Sequence, residues 1–361
     1  MIYFLAFSVA FLFAHIAKKH KNSLQLFFFI ISGLVLVMLA AVREETVGID
    51  VGVYVKRYFL IAQRTDNIFV YLKAINKELL YYIITFCATK LFGSLQAVFF
   101  FNELIIVGFT YAAIWNLKDN IHIDISVLAF SFIFYGQSLN IARQAMAMAI
   151  VLYAFSKLLQ GRKNTAFVFW IISIGFHYSA VVCIGIYLIY IMDKRKLNYK
   201  IKLCFLLMLF FLQLFYDKIF TFIVIHLSFL PRGYVSSKYL YREYSLSSCN
   251  LALYSLCALL AIFLLVRHKP GADFWFYIVG LSLCGVFIGA KSTFANRIFY
   301  YVEYLLIIML GRKDIFPVKQ TPGNVIIADS FLCIVLMVHF YILQIYLNVA
   351  GIFPYRSIFF Q

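Results

Sequence analysis

Long apolar runs separated by short basic turns make up most of this chain. Met1 to Ala17 and Leu24 to Val42 come first, with Lys18, Lys19, His20 and Lys21 between them. Leu79 to Phe92, Leu95 to Trp115, Ile125 to Leu139 and Ala142 to Leu159 follow, and then a turn carrying Gly161, Arg162 and Lys163. Further runs lie between Lys202 and Tyr216, at Cys249 to Val266, Phe274 to Ala290, Ile298 to Leu310 and Val325 to Leu347. A helix needs roughly 20 apolar residues to cross a bilayer core. The pattern therefore predicts an all-α, polytopic integral membrane protein. Counted by that length rule, with short and re-entrant arms included, it gives about 12 transmembrane helices in one domain over residues 1–361. The first run is followed rather than preceded by lysines, the reverse of a secretory signal, so it reads as a span whose N-terminus lies outside.

Four places break the pattern. Polar stretches near 43–78 and 217–248 are expected as outer loops. In the first, Tyr54 and Tyr58 fall on one helical face with Asp50, which suits a segment lying on the membrane surface. If the basic turns at Lys18–Lys21 and Gly161–Lys163 share a side, only one net crossing fits between Lys77 and Lys118. One of the two runs there must then be re-entrant or interfacial. Thr165 to Met192 is apolar except at His177 and has basic residues at both ends. It is long for one span and short for two, which favours a hairpin with His177 at its tip over a single tilted helix.

Composition narrows the class. Hydrophobic residues are 64% of the chain and charged residues 13%, which excludes a soluble fold. Lysine and arginine outnumber aspartate and glutamate by 32 to 15, but the basic groups sit at the ends of apolar runs, as the positive-inside rule requires. Anionic lipid head groups are the expected partners, and nucleic acid is not. The seven cysteines form no Cys-x-x-Cys pair and read as packing residues, with no metal site or disulfide frame. Phosphate-loop, His-Glu-x-x-His and Gly-x-Ser-x-Gly signatures are absent, so nucleotide hydrolysis and zinc chemistry have no support. No cofactor is expected.

Candidate chemistry lies in the polar residues that interrupt apolar surroundings. Arg143 and Gln144 open a helical run in which Ala142, Ala145 and Ala149 would draw a neighbouring helix close. A snorkelling anchor is the plain reading; close packing instead favours an arginine that faces protein. Arg43, Asp50, Arg143, His177, Arg232, Arg242, Arg297 and Arg356 all fall in outer loops or at outer helix ends. Cations on that face run against the positive-inside trend, and an anionic ligand accounts for them, since arginine's planar fork pairs with phosphate oxygens. Arg297 heads a face carrying Tyr300, Tyr301 and Tyr304, while Glu303 points elsewhere toward another helix. His177 reads either as a packing histidine or, kept neutral by nearby arginines, as a general base. Asp50 is a second base, an arginine partner or a cap, and Glu78 reads as a helix-start residue facing the dipole.

Arg43 with Val47-Gly48-Ile49-Asp50 and Tyr54, Glu78-Leu79-Leu80-Tyr81, Asn140-Ile141-Ala142-Arg143-Gln144, Phe176-His177-Tyr178-Ser179, Arg297 with Tyr300 and Tyr301, and Pro354-Tyr355-Arg356 together resemble the EpsG-like branch of the Wzy polysaccharide polymerases. The likeness covers nearly the whole chain in matching order. Ile49 and Leu79 depart from the family's usual Val-Gly-Thr-Asp and Glu-Pro. The resemblance implies a bacterial inner-membrane glycosyltransferase working on the periplasmic side without metal or nucleotide sugar. It would move a growing glycan from undecaprenyl diphosphate onto a lipid-linked acceptor repeat, with a chain-length regulator as a further partner. On that reading Arg143 and Arg297 hold the diphosphate, His177 is the base, and Asp50 with Tyr54 positions the acceptor. Arg43, Gln144, Tyr300, Tyr301 and Arg356 would complete substrate binding. An O-antigen ligase, a lipid-linked oligosaccharide flippase or transporter, and a membrane acyltransferase are the competing classes.

Overall fold

A computed structural model describes residues 1–75, 78–194, 199–226, 247–290, 293–315 and 322–359. These are helical almost throughout, as the apolar runs predict. Seven helices among them are long and apolar enough to cross a membrane: Ile2–Lys19, Asn22–Ala41, Leu95–Asn116, Ala142–Leu159, Ser248–Val266, Ala272–Gly289 and Ile326–Tyr346. The chain divides into two compact units, one of Met1–Val181, Leu310–Lys313 and Val318–Gln361, the other of Val182–Met309 and Asp314–Pro317. The expected outer loop with Arg232 and Arg242 falls mostly outside the described residues.

In the first unit α1 (Ile2–Lys19) and α2 (Asn22–Ala41) form an antiparallel pair. α1 buries Tyr3, Phe7, Ala10, Ala14 and Ala17, spaced by four and three residues, so one narrow seam of mostly small side chains packs inward. Leu5 and Leu12 stay exposed on the opposite side, which suits a lipid-facing surface. Beyond a π-helical turn (Val51–Lys56) come α3 (Arg57–Arg64), α4 (Ile68–Ile75), α5 (Leu79–Phe92) and α6 (Leu95–Asn116). The Ser32 hydroxyl of α2 donates to the Ala10 carbonyl at 2.6 Å and lies 3.0 Å from the Tyr111 hydroxyl of α6, linking three helices where water is scarce.

The two runs between Lys77 and Lys118 form helices of unequal length. α5 has 14 residues, about 21 Å of helix, too little for a span. Near its start Tyr81 faces Asn102, about two turns along α6, whereas Ala88 near its end clusters with Leu95 and Val98 at α6's start. α5 thus climbs back to the face from which α6 departs. Only α6 crosses.

α7 (Ile123–Ala129), a π-helical turn (Phe130–Phe134) and α8 (Tyr135–Asn140) make one continuous rod, buried along nearly its whole length. α9 (Ala142–Leu159) is the most buried of the seven candidate spans, and Ala142, Ala145 and Ala149 all pack inward, as their spacing predicts. Its neighbours are α6 and α10 (Lys163–Phe176). α10 stops at His177, whose backbone is extended, and the Trp170 indole donates to the Ala180 carbonyl at 2.9 Å. The helix therefore ends at His177, and the chain folds back locally to bring Ala180 beside Trp170.

The second unit holds α11 (Ile184–Lys194), α12 (Tyr199–Leu214), α13 (Tyr216–His226), α14 (Ser248–Val266), α15 (Ala272–Gly289) and α16 (Thr293–Glu303). α15 is its centre, packing on α11, α12, α14 and α16. A Cβ at Gly285 of α15 would lie 2.6 Å from the Phe299 Cβ, so only glycine lets α16 come this close. Glu303, expected to serve another helix, accepts a hydrogen bond from Tyr254 of α14 at 2.8 Å. The Asp193 carboxylate of α11 accepts from the Phe274 amide in the first turn of α15 at 3.0 Å, satisfying a helix-start donor.

After α17 (Leu306–Gly311), α18 (Pro322–Phe340) continues through a π-helical turn (Tyr341–Tyr346) into a C-terminal strap in the first unit. The strap lies along the loop after α2. The Gly48 amide donates to the Gly351 carbonyl at 2.8 Å, the Glu44 amide to the Arg356 carbonyl at 2.9 Å, and the Ile358 amide to the Val42 carbonyl at 3.0 Å.

Candidate active site

The polar groups of the first unit gather at its two ends. At one end lie Lys18, Lys21, Lys118 and Lys313. At the other, where α9 and the re-entrant α5 begin, Arg143 forms an ion pair with Glu78. The same Nη1 donates to the Tyr82 hydroxyl at 3.2 Å, and the guanidinium lies over the Tyr54 ring at 4.4 Å. Ordering by a carboxylate, a phenol and an aromatic face holds the planar fork in one orientation. The snorkelling alternative is set aside: this arginine faces protein.

Glu78 is the hub. It is 5% exposed and sits just before α5 with φ +35°, left-handed backbone that costs a non-glycine residue about 1 kcal/mol. Its amide donates to the Tyr178 hydroxyl at 3.2 Å, and its Oε1 lies 3.6 Å from His177 Nε2. The carboxylate therefore bridges Arg143 on α9 and His177 at the tip of α10. Sequence reasoning made Glu78 a dipole partner and missed this role. An acid at a helix start is commonplace, and its partners lie 65 and 99 residues along the chain.

His177 is tied on both sides. Its Nδ1 accepts from the Ser179 amide at 3.2 Å and lies 2.8 Å from the Ser179 hydroxyl. A nitrogen that accepts an amide proton carries none, so the neutral ring holds its proton on Nε2, toward Glu78. Tyrosines wall the site. Tyr58 packs edge-on against Tyr82 with centroids 4.7 Å apart, Tyr81 meets Tyr82 at 5.1 Å, and Tyr71 donates to the Tyr58 carbonyl at 3.3 Å. The shared face expected for Tyr54 and Tyr58 is thus turned toward Arg143 and α5.

The remaining predicted residues take different places. Asp50 donates its amide to the Asn140 side chain at 2.7 Å, joining the Val47–Asp50 loop to the segment just before Arg143. Gln144 is buried beside Arg143. Arg43 is 2% exposed, with its guanidinium over the Phe99 ring at 4.4 Å and Glu103 as counter-charge. Glu103 in turn accepts from the Ser138 hydroxyl at 2.9 Å. Arg356 is exposed on the strap, pairing with the Arg43 loop through backbone only. Arg297, Tyr300 and Tyr301 belong to α16 of the second unit, where Tyr301 and Tyr304 are buried. Among the described residues no three His, Cys, Asp or Glu side chains are grouped so as to hold a metal ion.

The sequence segments that converge here, from the loop after α2 through α5, α9, the α10 tip and the strap, lie within the stretch matched by the model of the EpsG family, residues 26–357. The chain belongs to the EpsG family. It is thereby a multi-pass membrane protein of a family linked to exopolysaccharide synthesis. No curated protein and no solved structure matches it. In this EpsG-family chain Tyr82, Tyr178 and Ser179 join Glu78 in the candidate site through their hydrogen bonds. Tyr178 and Ser179 adjoin His177 in sequence, and Tyr82 stands one turn beyond Glu78.

Proposed function

We propose that this EpsG-family protein is a glycosyltransferase that polymerises oligosaccharide repeat units carried on undecaprenyl diphosphate. The charge polarity of the first unit supports a bacterial inner-membrane setting in which the lysine-rich end is cytoplasmic and the Glu78–Arg143 end periplasmic. In the reaction an acceptor sugar hydroxyl attacks the donor's anomeric carbon. The bond to the diphosphate oxygen breaks, and the lipid diphosphate leaves with the electron pair. Two things are needed: cationic donors for the leaving group and a base for the hydroxyl proton.

The Glu78–Arg143–His177 cluster carries this reading, because it sets a fixed arginine fork against a carboxylate inside a tyrosine-walled site. Arg143 receives the diphosphate oxygens. The base role passes from His177, whose Nδ1 is engaged by Ser179, to Glu78, which takes the acceptor proton while His177 Nε2–H orients it. Tyr54 and Asp50 line the acceptor side, and the tyrosine faces suit sugar rings. Arg297, read in the sequence as a second catalytic cation for the diphosphate, rests on its tyrosine-bearing helix alone.

A strain lacking the chain, complemented with wild type, Glu78→Gln, Arg143→Ala or His177→Ala at matched membrane levels, tests this by the length of lipid-linked and surface glycan. Single repeats in the deletion, restored to a ladder by wild type but not by Glu78→Gln or Arg143→Ala, are expected. Long polymer in the deletion ends the polymerase reading. Full-length polymer left unattached in the deletion points instead to a ligase.

A further inference from the structure

The end of the first unit that carries the Glu78–Arg143 cluster also holds a second concavity. Its volume is about 360 Å³, within the roughly 300–1,000 Å³ usual for small-molecule sites. The floor is Phe59 of α3 and Leu95 at the start of α6, both buried in one apolar cluster with Val51, Val55, Ala88 and Phe99. Polar groups stand around it: Glu44, Glu45 and Thr46 from the loop after α2, Lys56 from the π-helical turn and Gln96 from α6. Leu60 of α3 and Ile358 of the C-terminal strap complete the lining. Protein contacts set these walls. The Glu44 amide donates to the Arg356 carbonyl at 2.9 Å and the Ile358 amide to the Val42 carbonyl at 3.0 Å, which fixes the loop against the strap. Lys56 donates to the Glu45 carboxylate at 2.6 Å and ties the loop to the π-helical turn.

The cavity and the candidate active site share one segment of chain. Tyr54 lies beneath the Arg143 guanidinium and Tyr58 packs on Tyr82, whereas Lys56, Phe59 and Leu60 line the cavity. Spacing by four in the first set, and by three and four in the second, puts the two sets on different sides of that segment. The cavity therefore lies about one helix diameter, roughly 10–12 Å, from the tyrosine wall of the site.

An apolar floor ringed by hydroxyl, amide and carboxylate groups matches a sugar ring, whose C–H face is apolar and whose hydroxyls both donate and accept. Two carboxylates facing the same space accept from hydroxyls and disfavour an anionic ring.

We propose that this cavity is a glycan subsite that holds uncharged sugar residues of the growing chain away from the bond being made. The identity of that chain rests on the polymerase reading. A glycan held both at the transfer site and here dissociates more slowly than one held at the transfer site alone, so longer glycans are retained better than single repeats.

Full-length protein in nanodiscs is titrated with oligosaccharides of one and two repeats, cut by mild acid from the surface glycan of the strain that carries this chain and labelled fluorescently at the reducing end. Lacking a diphosphate, these probes report sugar contacts alone. The two-repeat probe is expected to bind wild type, and Thr46→Trp, which fills the cavity from an exposed position, weakens that binding by about tenfold or more. Glu44→Gln with Glu45→Gln gives up a single exposed ion pair, too little to unfold the chain, and weakens binding to a similar degree, so a packing defect in the tryptophan variant does not decide the outcome. Arg143→Ala keeps the binding. A two-repeat affinity unchanged in either cavity variant, or no binding to wild type, overturns the subsite. The polymerase reading fails separately, on long polymer in the deletion strain.

Discussion

Glu78 occupies strained backbone to place a carboxylate between an arginine and a histidine, and the proposed function turns on its charge. Glu78→Gln keeps the shape but removes both the counter-charge of Arg143 and the proposed base. Loss of a general base typically costs 10²–10⁴-fold, so repeat-unit transfer in membranes supplied with lipid-linked donor should fall by about that factor while protein level holds. Unchanged transfer would return Glu78 to the structural role that its position before a helix suggests. Arg143→Lys retains charge but loses the fork and the stack on Tyr54. A fall of about tenfold or more is expected, rescued by no amount of donor if the loss is in the transition state. Near-normal polymer from this variant would count against bidentate phosphate binding. Arg143 and His177 were legible in the sequence because each interrupts an apolar run, where a polar side chain demands a reason. Glu78 was not: it ends a polar stretch, and only the fold shows that its neighbours come from α9 and the tip of α10.

At the scale of elements, the long helices follow from run length alone, and the irregular pieces follow from constraints that act between runs. α5 and α6 are both apolar, so hydropathy alone does not separate a re-entrant helix from a crossing one; if the basic turns share a side one of the two turns back, and α5, with 14 residues, is the one too short to span. The π-helical turns at Val51–Lys56 and Phe130–Phe134 leave no mark on apolar periodicity and were invisible to it. The Val47–Asp50 loop shows how a short motif is spent on geometry. Gly48 has φ +109°, and a Cβ there would lie 2.9 Å from both the Leu139 carbonyl oxygen and Val51 Cγ2. Gly48→Ala therefore combines a disfavoured conformation with a backbone clash and is expected to cost about 1–3 kcal/mol. Thermal unfolding of purified protein should show a lower midpoint, with Gly93→Ala as comparison. Gly93 also has positive φ but open space where its Cβ would go, so the extra loss at Gly48 reports the clash with Leu139 and Val51 together with its less tolerated φ.

For the whole molecule, the first unit is polarised: a cluster of lysines marks one end, and the Glu78–Arg143 cluster with the C-terminal strap marks the other. The strap brings the last motif, Pro354-Tyr355-Arg356, onto the loop that carries Arg43, and Tyr355 donates to the Leu39 carbonyl at 2.6 Å. Residues over 300 positions apart in sequence thus close one end of the unit, a pairing that order along the chain does not reveal. This polarity predicts opposite sidedness for two exposed residues, Lys21 and Arg356. In a background with the seven cysteines replaced, Arg356→Cys should react with a membrane-impermeant maleimide on cells with a permeabilised outer envelope and intact inner membrane. Lys21→Cys should react only after the inner membrane is broken. The positive-inside rule supplies the direction, and the backbone fixes the relation, since α1 and α2 carry the chain across and back between the two ends. Labelling of both residues from the same side would break the crossing pattern itself. Labelling in the reverse order would keep that pattern and move the Glu78–Arg143 site to the cytoplasm, where a polymerase acting on exported repeats has no substrate.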